Sequence, residues 1–273
     1  MIELVPISKS IYKADILNVI TYKNEDIVFA SGSLVQGIGN GKSDLDLFVI
    51  TQDFNEKDIN ITYDQLNFKV GFNRLEGVNC DIEYWLLDVV EELIDQVNSI
   101  DFGDINVRSF NQLKIKGYNS PALTSFLHRF IISKNIYNDT KYKELYEKLN
   151  KNNYFRLMAR IYVNHVDNAY DDVVGNLEQH EYETAYLIAR ETLLLAMTAY
   201  VFSMKQTIDR TKWTYKMMKV IAIENQEAAR ILNKCNEILF PVSLSKGNLE
   251  NSSEQALSLI NSIISSINDA GGV

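Results

Sequence analysis

The chain has 273 residues, of which 46% are hydrophobic, 23% charged and 11% aromatic, a make-up that excludes disordered, collagen-like and fibrous classes. Its 27 Lys plus Arg against 36 Asp plus Glu leave a net charge of −9, so no broad basic surface awaits a phosphate backbone and no nucleic-acid partner is expected. At roughly 100 to 200 residues per domain, the length favours two domains.

In chain order, residues 26–87 alternate short runs of Val, Ile, Phe and Tyr with Gly, Asn and Asp clusters, the grain of strands and turns. Strands are predicted at 27–30, 45–50 and 78–87, the last pairing with 68–75 through a turn at Glu76-Gly77. A short helix is predicted at 33–37. Beyond Asp88 the period becomes helical, with Val89, Val90, Leu93, Ile94 and Val97 on one face. Further helices are predicted near 121–134, 141–170, 181–205, 211–237 and 252–268. Residues 192–204 are apolar almost all the way round, which suits the central helix of a bundle. The fold class is α+β: a mixed-sheet domain over 1–125, then an all-α helical bundle over 126–273.

Cys80 and Cys235 are too few for a disulfide framework or a thiolate metal site and read as core residues of a reduced compartment. The first residues show no basic segment leading into an apolar run, and no run is read as long enough to span a bilayer, so a cytoplasmic protein without a membrane partner is expected.

The chemistry is concentrated in Ser31-Gly32-Ser33 followed, ten residues on, by Asp44-Leu45-Asp46-Leu47-Phe48-Val49-Ile50. Side chains alternate along a strand, so Asp44 and Asp46 project from one face, about 7 Å apart, while Leu45, Leu47 and Val49 face the other way. Two such carboxylates repel unless a cation lies between them, and an all-oxygen site suits Mg²⁺. Gly32 lets backbone approach a ligand closely, and a helix opening at Ser33 offers free N–H groups to a phosphate. A further acid comes from the strand Asn79-Cys80-Asp81-Ile82-Glu83, where Asp81 and Glu83 share a face; Asp81 is preferred, Glu83 second. It serves as metal ligand, as general base, or as both.

These residues resemble the motif of the DNA polymerase beta superfamily of nucleotidyltransferases: Gly-Ser, a gap of about ten residues, Asp-x-Asp and a later strand acid. More narrowly, the chain looks like the aminoglycoside nucleotidyltransferases, which follow such a sheet domain with a helical bundle. The resemblance implies two Mg²⁺ on Asp44, Asp46 and Asp81, a nucleoside triphosphate, most often ATP, against Gly32 and Ser33, and transfer of its monophosphate to an acceptor hydroxyl with release of pyrophosphate. The stretch 185–190 followed by Lys212-Trp213 is similar to the bundle signature, in which Lys212 would reach the triphosphate. The implied role is antibiotic resistance. Alternative acceptors are a protein or a biosynthetic intermediate, and a relative that binds nucleotide without turnover is the third reading.

Between Ile161 and Ala189 stand six carboxylates, Asp167, Asp171, Asp172, Glu178, Glu181 and Glu183, and no Lys or Arg. Such a stretch attracts a hydroxylated cationic small molecule, although a run of charge is commonly a solvated face. His128, His165 and His180 lack metal-ligand spacing. Trp85 and Trp213 read as core aromatics, and Lys42 and Arg74 as bases that touch water more often than phosphate. Ser43 reads as a turn cap. A monomer is expected.

Overall fold

The computed structural model describes residues 1–54, 63–65, 68–103, 112–242, 246–269 and 271. The chain begins with a hairpin of β1 (Ile2–Leu4) and β2 (Lys9–Ile11), then α1 (Lys13–Asn18), β3 (Ile27–Ser31) and α2 (Gly32–Gln36). There follow β4 (Leu45–Thr51), β5 (Tyr63–Gln65), β6 (Phe68–Leu75), β7 (Val78–Leu86), α3 (Leu87–Asn98), α4 (Ser120–Ile131), β8 (Lys134–Tyr137) and α5 (Asp139–Lys148).

Six of these strands form a mixed sheet in the order β5-β6-β7-β4-β3-β8, in which β4 and β7 run parallel and every other pair antiparallel. The turn expected at Glu76-Gly77 is the two-residue link of β6 to β7. Both residues have positive φ, 50° and 83°, the backbone that matches the twist of a hairpin. On one sheet face Leu45, Leu47 and Val49 meet Val28, Ala30 and Ile82 in a buried cluster closed by Leu4, Ile11 and Ile16. On the other face α4 lays Phe126 and Phe130 over Phe29, Phe48 and Trp85. The Phe29 and Phe48 rings stack at 4.9 Å, and Trp85 and Phe126 lie 4.4 Å apart.

A second compact unit consists mainly of helices: α6 (Lys151–Glu178), α7 (Tyr182–Ser203), α8 (Thr214–Ala222), α9 (Gln226–Leu239) and α10 (Leu249–Asp269). The α7 helix is its centre, with every residue from Ala196 to Phe202 buried and with packing against α8, α9 and α10. The main division between units falls at Lys151/Asn152, with Phe102 and Gly103 also in the second unit, whereas the sequence suggests 125/126. The reason is that β8 pairs with β3 and α4 supplies the aromatic cover of the sheet, so both belong to the first unit.

Two long helices of the sequence reading are broken. Residues 141–170 divide at Leu149, whose ψ of 118° is extended. The Asn98 amide satisfies both sides of that break, donating to the Lys148 carbonyl and accepting from the Asn150 N–H, each at 2.8 Å. Residues 211–237 divide before Asn225, which caps α9 by accepting from Ala228 N–H at 2.8 Å. The expectation that no segment reaches bilayer length is also corrected: α7, with 22 residues, is long and apolar enough by length and composition. Its most apolar stretch is 67% buried, and packing against α8, α9 and α10 accounts for the apolar sequence.

Candidate active site

The β4 strand carries Asp46 between two register partners, Ser31 of β3 and Asp81 of β7. Residues opposite one another in a sheet project from the same face, so Ser31, Asp46 and Asp81 form one row. Asp44 precedes β4 by one residue and Asp46 by two. All three acids are half-buried. The Asp81 carboxyl is held above the ordinary carboxylate range, first by burial and then by the negative charge of Asp44, with the Arg129 guanidinium pulling the other way. Glu83 sits one alternation deeper, in register with Phe48, where it accepts from Trp85 Nε1 at 3.1 Å.

Gly32 closes β3 with φ of +82°, and a Cβ placed there would lie 1.6 Å from Asp46 Oδ2 and 2.6 Å from its Cγ. By sequence this glycine suits the close approach of a ligand; in the fold it also makes room for the Asp46 carboxylate. The expected short helix is present as α2, five residues ended by Gly37 at φ +85°. Ser33, half-buried in its first turn, accepts through its carbonyl from Ile38 N–H at 3.0 Å and Gly39 N–H at 2.7 Å. Ser43 caps a turn as expected: its Oγ accepts from Asn40 N–H at 3.0 Å.

Arg129 is a residue of this site that sequence reasoning missed. It stands in the last turn of α4, where a cation complements the helix dipole, and by sequence that role alone accounts for it. Ser31 Oγ donates to its carbonyl at 2.5 Å, tying the helix end to β3. Its side chain, 14% exposed, passes over the Phe48 ring, donates to Ser125 Oγ, and brings Nε to 3.8 Å from Asp46 Oδ1. Only the docking of α4 on β3 reveals it.

The donor set of Asp44, Asp46 and Asp81 is all oxygen and suits a hard divalent cation. Among the described residues, however, no group of three or more His, Cys, Asp or Glu side chains is gathered closely enough to hold an ion. The cation beside Asp46 is the Arg129 guanidinium.

Lys212 belongs to the second unit, exposed in the single turn Thr211–Trp213 with its ammonium 5.0 Å from the Trp213 ring centroid. The six carboxylates between 161 and 189 are exposed. Two of them, Asp167 and Asp171, line a cavity of about 340 Å³ with Tyr170, Ile260 and Asn261. His128 is buried, while His165 and His180 are exposed. Both cysteines are buried and free.

No protein-family model matches the chain, and no curated protein does. Among solved structures it is similar to a nucleotidyltransferase-like protein from Exiguobacterium sibiricum, at 12% identity and a TM-score of 0.49, over 92% of this chain and 72% of that one.

Proposed function

We propose that the first unit is a Mg²⁺-dependent nucleotidyltransferase that moves a nucleoside monophosphate, AMP from ATP in the leading case, onto the hydroxyl of a small molecule and releases pyrophosphate. The observation that carries this reading is the row Ser31, Asp46, Asp81 with Asp44 beside it and the backbone at Gly32 hollowed to admit the Asp46 carboxylate. Half-buried like charges are costly to keep together, and a site that gathers them is suited to chemistry rather than to stability. Asp44, Asp46 and Asp81 would hold the ion, which when bound supplies charge neutralisation to the phosphate oxygens. Asp81, with its raised affinity for a proton, is suited to receive the one lost by an attacking hydroxyl. Gly32 and Ser33 would face the triphosphate, and contact with Lys212 is proposed from sequence resemblance alone. The exposed acids of α6 and of the turn that follows it would concentrate a polycationic acceptor of aminoglycoside type by long-range attraction.

A second reading, a relative that binds nucleotide without turnover, is favoured by one observation: the acids do not gather into an ion-sized group. Thermal unfolding with Mg²⁺ and each of ATP, GTP, CTP and UTP separates the possibilities. A ligand at 100 times its Kd stabilises the folded state by about 2.7 kcal/mol. A Mg²⁺-dependent shift for one nucleotide, lost in Asp44→Asn/Asp46→Asn and accompanied by pyrophosphate release with an amine-bearing acceptor, is the expected result. A shift without release under any acceptor supports the second reading, and no shift with any nucleotide removes both.

A further inference from the structure

Arg156 and Arg160 stand four residues apart on α6, the spacing that puts both side chains on one face of the helix. Both are half-buried and lie against the ring of Phe102, their guanidinium carbons 4.4 Å and 5.1 Å from its centroid. Phe102 belongs to the same compact unit as α6. Arg160 donates through Nη2 to the Phe102 carbonyl at 3.1 Å, while Arg156 Nε is buried with no hydrogen-bond partner. The chain carries 36 carboxylates against 27 Lys and Arg, yet among the described residues neither guanidinium has an ion-pair partner. Burial first, and the charge of Arg156 second, hold the Arg160 guanidinium below its ordinary value, although it remains charged at any working pH.

Stacking on Phe102 offsets part of this cost, because a cation is attracted to a ring face. It leaves the repulsion between the two cations unanswered, and like charges at this spacing destabilise a helix. An anion whose charge matches both would answer it. A phosphate group brings about two negative charges and three acceptor oxygens at neutral pH, against one charge and two oxygens for a carboxylate. A guanidinium whose face lies on a ring keeps its in-plane N–H fork for such oxygens. We propose that Arg156 and Arg160 form a phosphate-binding site of the second unit, which takes inorganic phosphate or the phosphate of a small organic ester and needs neither a divalent cation nor Asp44, Asp46 and Asp81. Phe102 holds the two guanidiniums side by side in advance, so little side-chain freedom is lost when the anion arrives. This site does not depend on the nucleotidyltransferase reading.

The test is calorimetric titration of the full chain, with EDTA present, using inorganic phosphate, glycerol 3-phosphate and, as the carboxylate control, acetate. Wild type is expected to bind a phosphate and not acetate, and the tighter of the two phosphates names the source. Arg156→Gln and Arg160→Gln should each weaken that binding at least about tenfold, while Asp44→Asn/Asp46→Asn leaves it unchanged. No phosphate binding by wild type overturns the proposal, as does equal binding in both Gln variants or loss of binding in Asp44→Asn/Asp46→Asn. A role confined to clamping Phe102 predicts lower stability in urea with phosphate binding unaltered, and that result also overturns it. Should the Gln variants not fold, phosphate titration of wild-type protein labelled with ¹⁵N-arginine decides the matter. The Nε–H resonances of Arg156 and Arg160, identified by their absence in Arg156→Lys and Arg160→Lys, have to shift and saturate, and unmoved resonances overturn the proposal.

Discussion

The protein has two acid-rich regions, and they differ in everything except charge. In the first unit two aspartates of parallel strands share one half-buried row with a third just before β4, where the backbone at Gly32 is hollowed for one carboxylate, a second has its proton affinity raised and a guanidinium lies alongside. In the second unit six carboxylates are spread along α6, the turn after it and the start of α7, exposed to water. The larger accumulation of charge costs the fold little, because water screens it. The smaller one forces compensations in neighbouring residues, and those compensations mark a site better than the charge itself.

The comparison breaks first at the row. Asp44→Asn or Asp46→Asn is expected to reduce transfer by at least about 10³-fold in a pyrophosphate-release assay while near-UV circular dichroism stays unchanged. Gly32→Ala is expected to do as much damage and to destabilise as well, because its Cβ would collide with Asp46 and because a left-handed backbone costs an L-residue about 1 to 2 kcal/mol. Gly37→Ala is the control: its φ of +85° carries the same backbone cost, yet nothing lies within 4 Å of the added methyl. Urea unfolding should show the smaller loss for Gly37→Ala, with turnover retained.

Finer effects sharpen the contrast. Asp81→Asn is expected to raise the thermal midpoint of the ion-free protein while lowering turnover, since it removes a charge disfavoured by burial and by Asp44. Neutralising Asp171, Asp172 and Glu178 together should change stability by no more than about 0.5 kcal/mol and raise the KM of a polycationic acceptor, an effect that fades with added salt. The two thiols report the burial of each unit. Burial pushes Cys80 up to about 11, helped by the charges of Asp81 and Asp44, and Cys235 up to about 12. Above the ordinary thiol value the unfolded chain releases protons that the fold keeps, so stability is expected to fall as pH rises from about 9 towards 12. Below that window neither thiol should react with a disulfide reagent until the protein unfolds, which absorbance at fixed pH will follow.

The sheet was legible where a strand has one buried and one mixed face. Alternation from Leu45 to Ile50 placed Asp46 correctly, and Glu76-Gly77 marked its hairpin by turn chemistry. Three-residue strands such as β1 and β2 have too few residues to alternate, and Lys134–Tyr137 becomes a strand only by pairing with β3. The helix break at Leu149 was hidden because the partner that permits it, Asn98, lies on α3. Within the candidate site, acids and glycine announced themselves by spacing, whereas Arg129 reads as an ordinary helix-end cation. Its place depends on which strand α4 docks against, and a linear pattern carries no such information.

The parallel pairing of β4 with β7 also governs when the row can exist during folding. The antiparallel pair β6–β7 is joined by a two-residue turn, but Asp46 and Asp81 meet only when β7, more than 25 residues further along the chain, comes into parallel register with β4. A chain that has formed its helices and the β6–β7 hairpin already owns every acid and yet has no row. Assembly of the row is therefore a late, nonlocal event, and recovery of nucleotide binding after dilution from denaturant should lag behind recovery of helical signal.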